Sequence, residues 1–286
     1  MKKIIFKGAC SAVPTPFKDG KVNLDELERF LKFQLNNNID ALLVCGTTGE
    51  SSTLTKDEKI SIIKSTIKTV KGQVPIIAGT GSNNTYDAIT MSKIAENLGV
   101  DAILVVTPYY NKTTQSGLIA HYKAIANSVK IPIILYNVPS RTGLNIEPKT
   151  CFELSKIENI VAIKEASGNI SQVAQIANLC KDDLYIYSGN DDQTIPICSL
   201  GGLGCISVLS NLKPKYTHDM IWNFLDGNTI TAKNMQLNTI PLINNLFCET
   251  NPIPIKTALK TVGFDFGAPR LPLVEMDNIK SKKLFS

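Results

Sequence analysis

Histidine is nearly absent from this 286-residue chain, which carries two, His121 and His218. Neither sits in an HxH or HExxH pattern, so no histidine-based metal site is expected. No GxSxG elbow presents a serine, which leaves a Ser-His-Asp triad without its centre. The seven cysteines (10, 45, 151, 180, 198, 205 and 248) are odd in number and form no CxxC pair. They read as reduced, mostly buried thiols in a reducing compartment. Long apolar runs are missing too: those at 131–136 and 102–106 fall far short of the ~20 residues of a membrane-spanning helix. At the N-terminus, Lys7 interrupts the apolar Ile4-Ile5-Phe6, so no secretory leader is expected and the reading is cytoplasmic. The net charge of +5 is scattered. Its one dense cluster, Lys280 to Lys283, reads as a solvated tail, and no nucleic-acid partner is expected. Gly79-Thr80-Gly81 and Gly201-Gly202-Leu203-Gly204 lack the GxGxxG and GK[ST] forms of phosphate loops and read as turns.

What the chain does have is a regular series of short β-branched, apolar runs. They lie at 8–13, 41–45, 74–78, 102–106, 131–136, 160–163, 184–187 and 205–208. Their starts are about 20 to 35 residues apart, the length of a βα unit, and they are continuously apolar, as strands buried on both faces are. Amphipathic helical stretches lie between them. The stretch 23–36 spaces Leu24, Leu27, Phe30, Leu31 and Leu35 helically, Thr55 and Glu58 form a capping box, and Gly99 ends the stretch 84–98. Eight such units predict a closed (β/α)₈ TIM barrel. A doubly wound open sheet would show five or six strands and a dinucleotide loop. Beyond Lys213 only helical stretches follow (216–225, 229–246 and 255–262). The expected organisation is a catalytic barrel over 1–224 and a small C-terminal helical domain over 225–286.

In such a barrel the chemistry sits just past the C-terminal ends of the strands. There the sequence places Gly46-Thr47-Thr48-Gly49-Glu50-Ser51, Tyr136-Asn137-Val138-Pro139-Ser140-Arg141-Thr142-Gly143 and Lys164-Glu165-Ala166-Ser167-Gly168. Lys164 is the most informative, because it ends an apolar run where a lysine is otherwise rare. Snorkelling or an ion pair with Glu165 is the structural explanation. The chemical one is nucleophilic. An ordinary lysine amine is neutral in only about one molecule in ~2,000 at pH 7. Desolvation raises that fraction and lets the amine attack a ketone to form an imine. Tyr136, one strand earlier, is a candidate proton donor and acceptor, unless its hydroxyl is tied to backbone. Thr47 and Thr48, in a glycine-flanked turn, offer hydroxyl and amide donors to a carboxylate. Arg141 offers a bidentate site to a second carboxylate, unless it is merely solvated.

These three motifs, with Thr107-Pro108-Tyr109-Tyr110-Asn111, Ser188-Gly189-Asn190-Asp191 and Asn251-Pro252-Ile253-Pro254, closely resemble the dihydrodipicolinate synthases, members of the wider class I aldolase superfamily of pyruvate-dependent lyases. The resemblance spans essentially the whole chain. It implies that Lys164 forms an imine with pyruvate, whose carboxylate meets Thr47 and Thr48, with Gly189 and Ile206 nearby. It implies that Arg141 meets the carboxylate of L-aspartate 4-semialdehyde, and that Tyr136, Thr47 and Tyr110 relay protons. Tyr110 then comes from a neighbouring subunit, so a homo-oligomer is implied, usually a tetramer built as a dimer of dimers. The imine chemistry needs no cofactor and no metal. The family's lysine-effector cleft would involve Ser51, Ser52, Lys56, Lys59, Asn83, Asp87 and Tyr109. Here Lys56 and Lys59 stand where histidines are common, and a fixed cation repels a cationic effector, so weak or absent lysine inhibition is expected. Another pyruvate-dependent aldolase, and a non-catalytic barrel that senses a small acid, are the alternatives.

Overall fold

A computed structural model describes residues 2–277, 280, 281 and 284. Ten strands occur among them: β1 (Gly8–Ala12), β2 (Phe17–Lys18), β3 (Lys21–Val22), β4 (Ala41–Val44), β5 (Ile76–Gly79), β6 (Ala102–Val106), β7 (Ile133–Asn137), β8 (Ile160–Glu165), β9 (Tyr185–Ser188) and β10 (Gly204–Ser207). Eight close into a parallel barrel in the order β1-β10-β9-β8-β7-β6-β5-β4, with helices in the connections. These are the eight runs of the sequence, with ends shifted by at most two residues. The remaining two, β2 and β3, form a small antiparallel hairpin that the apolar pattern did not announce. Continuous apolarity has the expected cause: β1, β4, β5, β7, β8 and β10 are buried at every residue.

The contacts group the chain into two compact units, 8–76 with 207–286, and 2–7 with 77–206. In the first, Thr55 and Glu58 form the expected capping box on helix Lys56–Val70, and Asn23 caps helix Leu24–Asn36. Phe30 packs edge-on against Phe264 and Phe266. The helices Pro214–Leu225, Thr229–Leu246 and Ile253–Leu259 realise the helical C-terminal stretch. His218 and Trp222 both bond the Asp40 carboxylate, at 2.9 and 3.0 Å.

In the second unit, β7 and β8 pair in register as Tyr136↔Lys164 and Asn137↔Glu165, and β8 and β9 as Lys164↔Tyr187 and Glu165↔Ser188. Gly99 ends helix Thr85–Leu98 in a left-handed conformation. His121 is buried, bonded to Thr85 at 2.9 Å, and its imidazole is pushed down to about 4 by burial. Gly81 is a packing glycine, since a Cβ there would lie 2.4 Å from Val106 N.

All seven cysteines are free thiols, and six of them are buried. No helix among the described residues is long and apolar enough to cross a membrane. In the basic tail, Lys280 pairs with Glu249 at 2.7 Å, and Lys282 and Lys283 lie outside the described residues.

Candidate active site

Two lysines are buried among the described residues, and their surroundings differ in kind. Lys256 lies 2.6 Å from the Glu50 carboxylate. Lys164, only 6% exposed, has no hydrogen bond and no ion pair with any described residue. Its Nζ stands 4.5 Å from the ring centroid of Tyr136. The ion pair with Glu165 that sequence allowed does not form. Successive residues of a strand point to opposite faces, and the Glu165 carboxylate accepts from Asn137 Nδ2 (3.0 Å), Gln172 Nε2 (3.2 Å) and the Ser167 amide (2.6 Å). A buried lysine normally has a partner, because an isolated buried charge is costly. Lys164 departs from that rule.

Tyr136 is set apart in the same way. The hydroxyl of Tyr122 donates to Val105 O (3.1 Å), that of Tyr187 to Phe6 O (2.7 Å) and that of Tyr185 to Lys2 O (3.2 Å). Burial pushes the Tyr122 phenol well above its ordinary range. The Tyr136 hydroxyl makes no hydrogen bond to a described residue, so the backbone tie that would explain it structurally is missing.

Gly189 follows β9, and its amide donates to Glu165 O at 2.7 Å. A Cβ there would come 2.6 Å from Ala166 Cβ and 3.1 Å from Lys164 Cε, so glycine leaves the space beside the lysine chain. Ile206 is buried on β10. Arg141 is exposed on the short helix Pro139–Thr142, which Gly143 ends in a left-handed conformation. Tyr110 is 91% exposed with φ +71°, a conformation costly for a residue with a Cβ.

In the other unit, the turn after β4 holds Thr47 and Thr48. Cys45 and Glu50 bracket it, both at φ +56°. Thr48 is buried and accepts from Asn251 Nδ2 at 2.9 Å. Thr47 is half-buried, and its hydroxyl bonds no described residue. Glu50 reaches Lys256 through Oε1 and the Arg270 amide (2.8 Å) through Oε2. Burial lowers the Lys256 ammonium pKa, against the opposing pull of Glu50. Sequence reading gave Glu50, Lys256 and Arg270 no role; the signals were the place of Glu50 in the Gly46-Thr47-Thr48-Gly49-Glu50-Ser51 motif and the Asn251-Pro252-Ile253-Pro254 motif beside Lys256.

Of the effector-cleft residues in this unit, Ser52 and Lys56 are exposed and Ser51 and Lys59 half-buried. In the barrel half with Lys164, Asp87 is exposed and Asn83 and Tyr109 are half-buried. Among the described residues no group of three or more His, Cys, Asp or Glu is arranged to hold a metal ion.

A buried lysine that bonds no described residue, beside a tyrosine whose hydroxyl bonds none either on the neighbouring strand of a (β/α)₈ barrel, fits a barrel equipped for amine–carbonyl chemistry. The chain belongs to the dihydrodipicolinate synthetase family, whose model matches residues 5–286. It is 56% identical over 273 residues to 4-hydroxy-tetrahydrodipicolinate synthase of Clostridium novyi (strain NT), covering 96% of this chain and 92% of that one. Among solved structures it is similar to dihydrodipicolinate synthase from Thermotoga maritima, with TM-score 0.96, 41% identity and coverage of 98% and 97%. It is equally similar to the enzyme from Cyanidioschyzon merolae with lysine bound, with TM-score 0.96, 41% identity and coverage of 99% and 97%.

Proposed function

We propose that this chain is a 4-hydroxy-tetrahydrodipicolinate synthase, an imine-forming lyase that condenses pyruvate with L-aspartate 4-semialdehyde at the head of lysine and diaminopimelate biosynthesis. The observation that carries this reading is Lys164, a buried amine without a partner beside Tyr136, in a chain of this family. In the proposed sequence the Lys164 amine adds to the ketone carbon of pyruvate, and loss of water gives the iminium. A methyl proton then leaves, and the enamine carbon attacks the aldehyde to form the new C–C bond. The amino group of the former semialdehyde closes the ring onto the imine carbon and displaces Lys164. Tyr136, Thr47 and Tyr110 carry the protons of these steps. Thr47 and Thr48 hold the pyruvate carboxylate, with Gly189 and Ile206 shaping its surroundings, and Arg141 holds the carboxylate of the aldehyde substrate. No cofactor or metal enters the scheme.

Tyr110 at 91% exposure suits delivery to a neighbouring subunit, and a homotetramer built as a dimer of dimers is the assembly we propose. The working division remains a catalytic barrel over 1–224 and a helical addition over 225–286, in a cytoplasmic enzyme. Lys56 and Lys59 support weak or absent inhibition by lysine. Strong inhibition of initial rates at sub-millimolar lysine would remove that part of the reading.

Borohydride trapping tests the centre of the proposal. Reduction in the presence of pyruvate is expected to leave a stable adduct on Lys164, absent from Lys164→Ala, and activity to require aspartate semialdehyde. An adduct with another aldehyde as the preferred acceptor would favour a different pyruvate-dependent aldolase. No adduct on folded protein would leave a binding protein for a small acid.

A further inference from the structure

The turn carrying Thr47 and Thr48 is fastened at several points. Its two non-glycine residues at φ +56°, Cys45 and Glu50, hold a backbone shape that side chains disfavour, so something must fix it. Within the turn, Glu50 N bonds Thr47 O (3.0 Å) and Ser51 N bonds Gly46 O (3.2 Å). Of the longer-range ties, one comes from Thr15, whose hydroxyl donates to Gly49 O (2.7 Å), and the others run to the C-terminal segment. Asn251, just before helix Ile253–Leu259, donates to the Thr48 hydroxyl. Lys256, in that helix, forms an ion pair with Glu50 Oε1 at 2.6 Å, and both side chains are at most 3% exposed. Arg270 donates its backbone N–H to Glu50 Oε2 and its guanidinium to the carbonyl of Thr53 and to Glu58.

Phe17 joins the two cations. Lys256 Nζ stands 4.3 Å and Arg270 Cζ 4.4 Å from its ring centroid, so both cations engage the one ring of the β2–β3 hairpin. Thr47 lies between the anchored Thr48 and Glu50 and keeps its hydroxyl uncommitted. A fully buried ion pair contributes little net stability when compared with an apolar replacement. Its value lies in geometry, since the pair holds Glu50, at φ +56°, beside Lys256.

We infer that Lys256 is a positioning residue for the reaction proposed above: through Glu50 it holds the Thr47–Thr48 turn in the shape that grips the pyruvate carboxylate. The inference rests on that reading. Lys256 touches no substrate, and its effect reaches the chemistry only through Thr47 and Thr48.

The test compares wild type with Lys256→Met and with the double variant Glu50→Gln/Lys256→Met, which leaves no buried charge stranded. Two quantities are read: the pyruvate concentration for half-maximal borohydride trapping, and the separate kcat and KM values for the two substrates. Positioning predicts that half-saturation and KM for pyruvate rise about tenfold or more in both variants. It also predicts that kcat falls, because the displaced turn carries Thr47 of the proposed proton path, while KM for the aldehyde stays within about threefold. His218→Asn, which removes a half-buried polar contact of the same unit, controls for destabilisation as such. It is expected to lower the melting temperature and leave pyruvate half-saturation unchanged. If Lys256→Met melts at a lower temperature but traps pyruvate at wild-type concentrations, the pair is structural only and the inference fails. If His218→Asn shifts pyruvate half-saturation equally, the effect is general loosening and the inference fails too. A wild-type protein that traps no pyruvate would instead overturn the proposed function.

Discussion

Substituting Gly189 by alanine tests the geometry around the candidate nucleophile with one methyl group. Gly189 does not adopt the left-handed conformation, so the substitution adds no backbone strain and its effect is steric. The new Cβ would meet Ala166 Cβ at 2.6 Å, about 1 Å inside ordinary carbon–carbon contact. It would also meet Lys164 Cε and Glu165 O, both at 3.1 Å. Overpacking of this size costs about 1–3 kcal/mol, which lowers the melting temperature by several degrees. The larger effect falls on function. The Gly189 amide is pinned to Glu165 O at 2.7 Å, so relief must come from movement of Ala166 and the Lys164 chain. Displacing a reacting group by about 1 Å costs on the order of 10²-fold in rate. The assay is kcat/KM for pyruvate with a parallel thermal melt. Adding Ala166→Gly removes the closest clash, and the double variant is expected to recover at least half of the lost stability, a coupling that only contacting residues show. Gly189→Ala with wild-type kinetics and melting temperature would refute the packing argument and with it the placement of Lys164.

Tyr136→Phe and Tyr122→Phe should separate a catalytic hydroxyl from a structural one. Tyr122→Phe loses a buried bond to Val105 O and about 1 kcal/mol of stability with kcat unchanged. Tyr136→Phe is expected to leave stability within about 0.5 kcal/mol, because its hydroxyl has no partner to lose, and to lower kcat by about 10²-fold or more. Denaturant titrations and steady-state rates check both. Acid stability should depend on Arg270, whose hydrogen bonds hold the Glu58 carboxyl at about 2 against an ordinary value of 4.5. The folded pKa is depressed, so this stabilisation is present above about 4.5 and is lost as pH falls toward 2. It amounts to at most about 3 kcal/mol and is reduced by solvent screening of a partly exposed pair. Unfolding free energies of wild type should converge with those of Arg270→Ala across that window; an unchanged gap at pH 2 and pH 6 would rule the coupling out.

The barrel was legible in the chain because its signal is local. A strand buried on both faces must be apolar throughout, and 133–137 and 160–165 announce this with no knowledge of their neighbours. The capping box of Thr55 and Glu58 and the glycine at 99 are equally local, since each satisfies or relieves backbone within four residues. Lys164 and Tyr136 were visible because parallel strands of known order put their ends side by side. What the sequence could not decide is which charged groups meet. Lys164 was as free to pair with Glu165 as Lys256 was to stay unpaired. The pleat turned Glu165 to Asn137 and Gln172, and folding brought Glu50 to Lys256, some two hundred residues away. The β2–β3 hairpin stayed hidden for a related reason: two-residue strands carry no periodicity, and Phe17 is held by Lys256 and Arg270 from the far end of the chain. Hydrophobic pattern and capping are properties of neighbouring residues and are written in the sequence. A buried amine is paired or left reactive according to which distant carboxylate arrives beside it, and only the tertiary structure decides that.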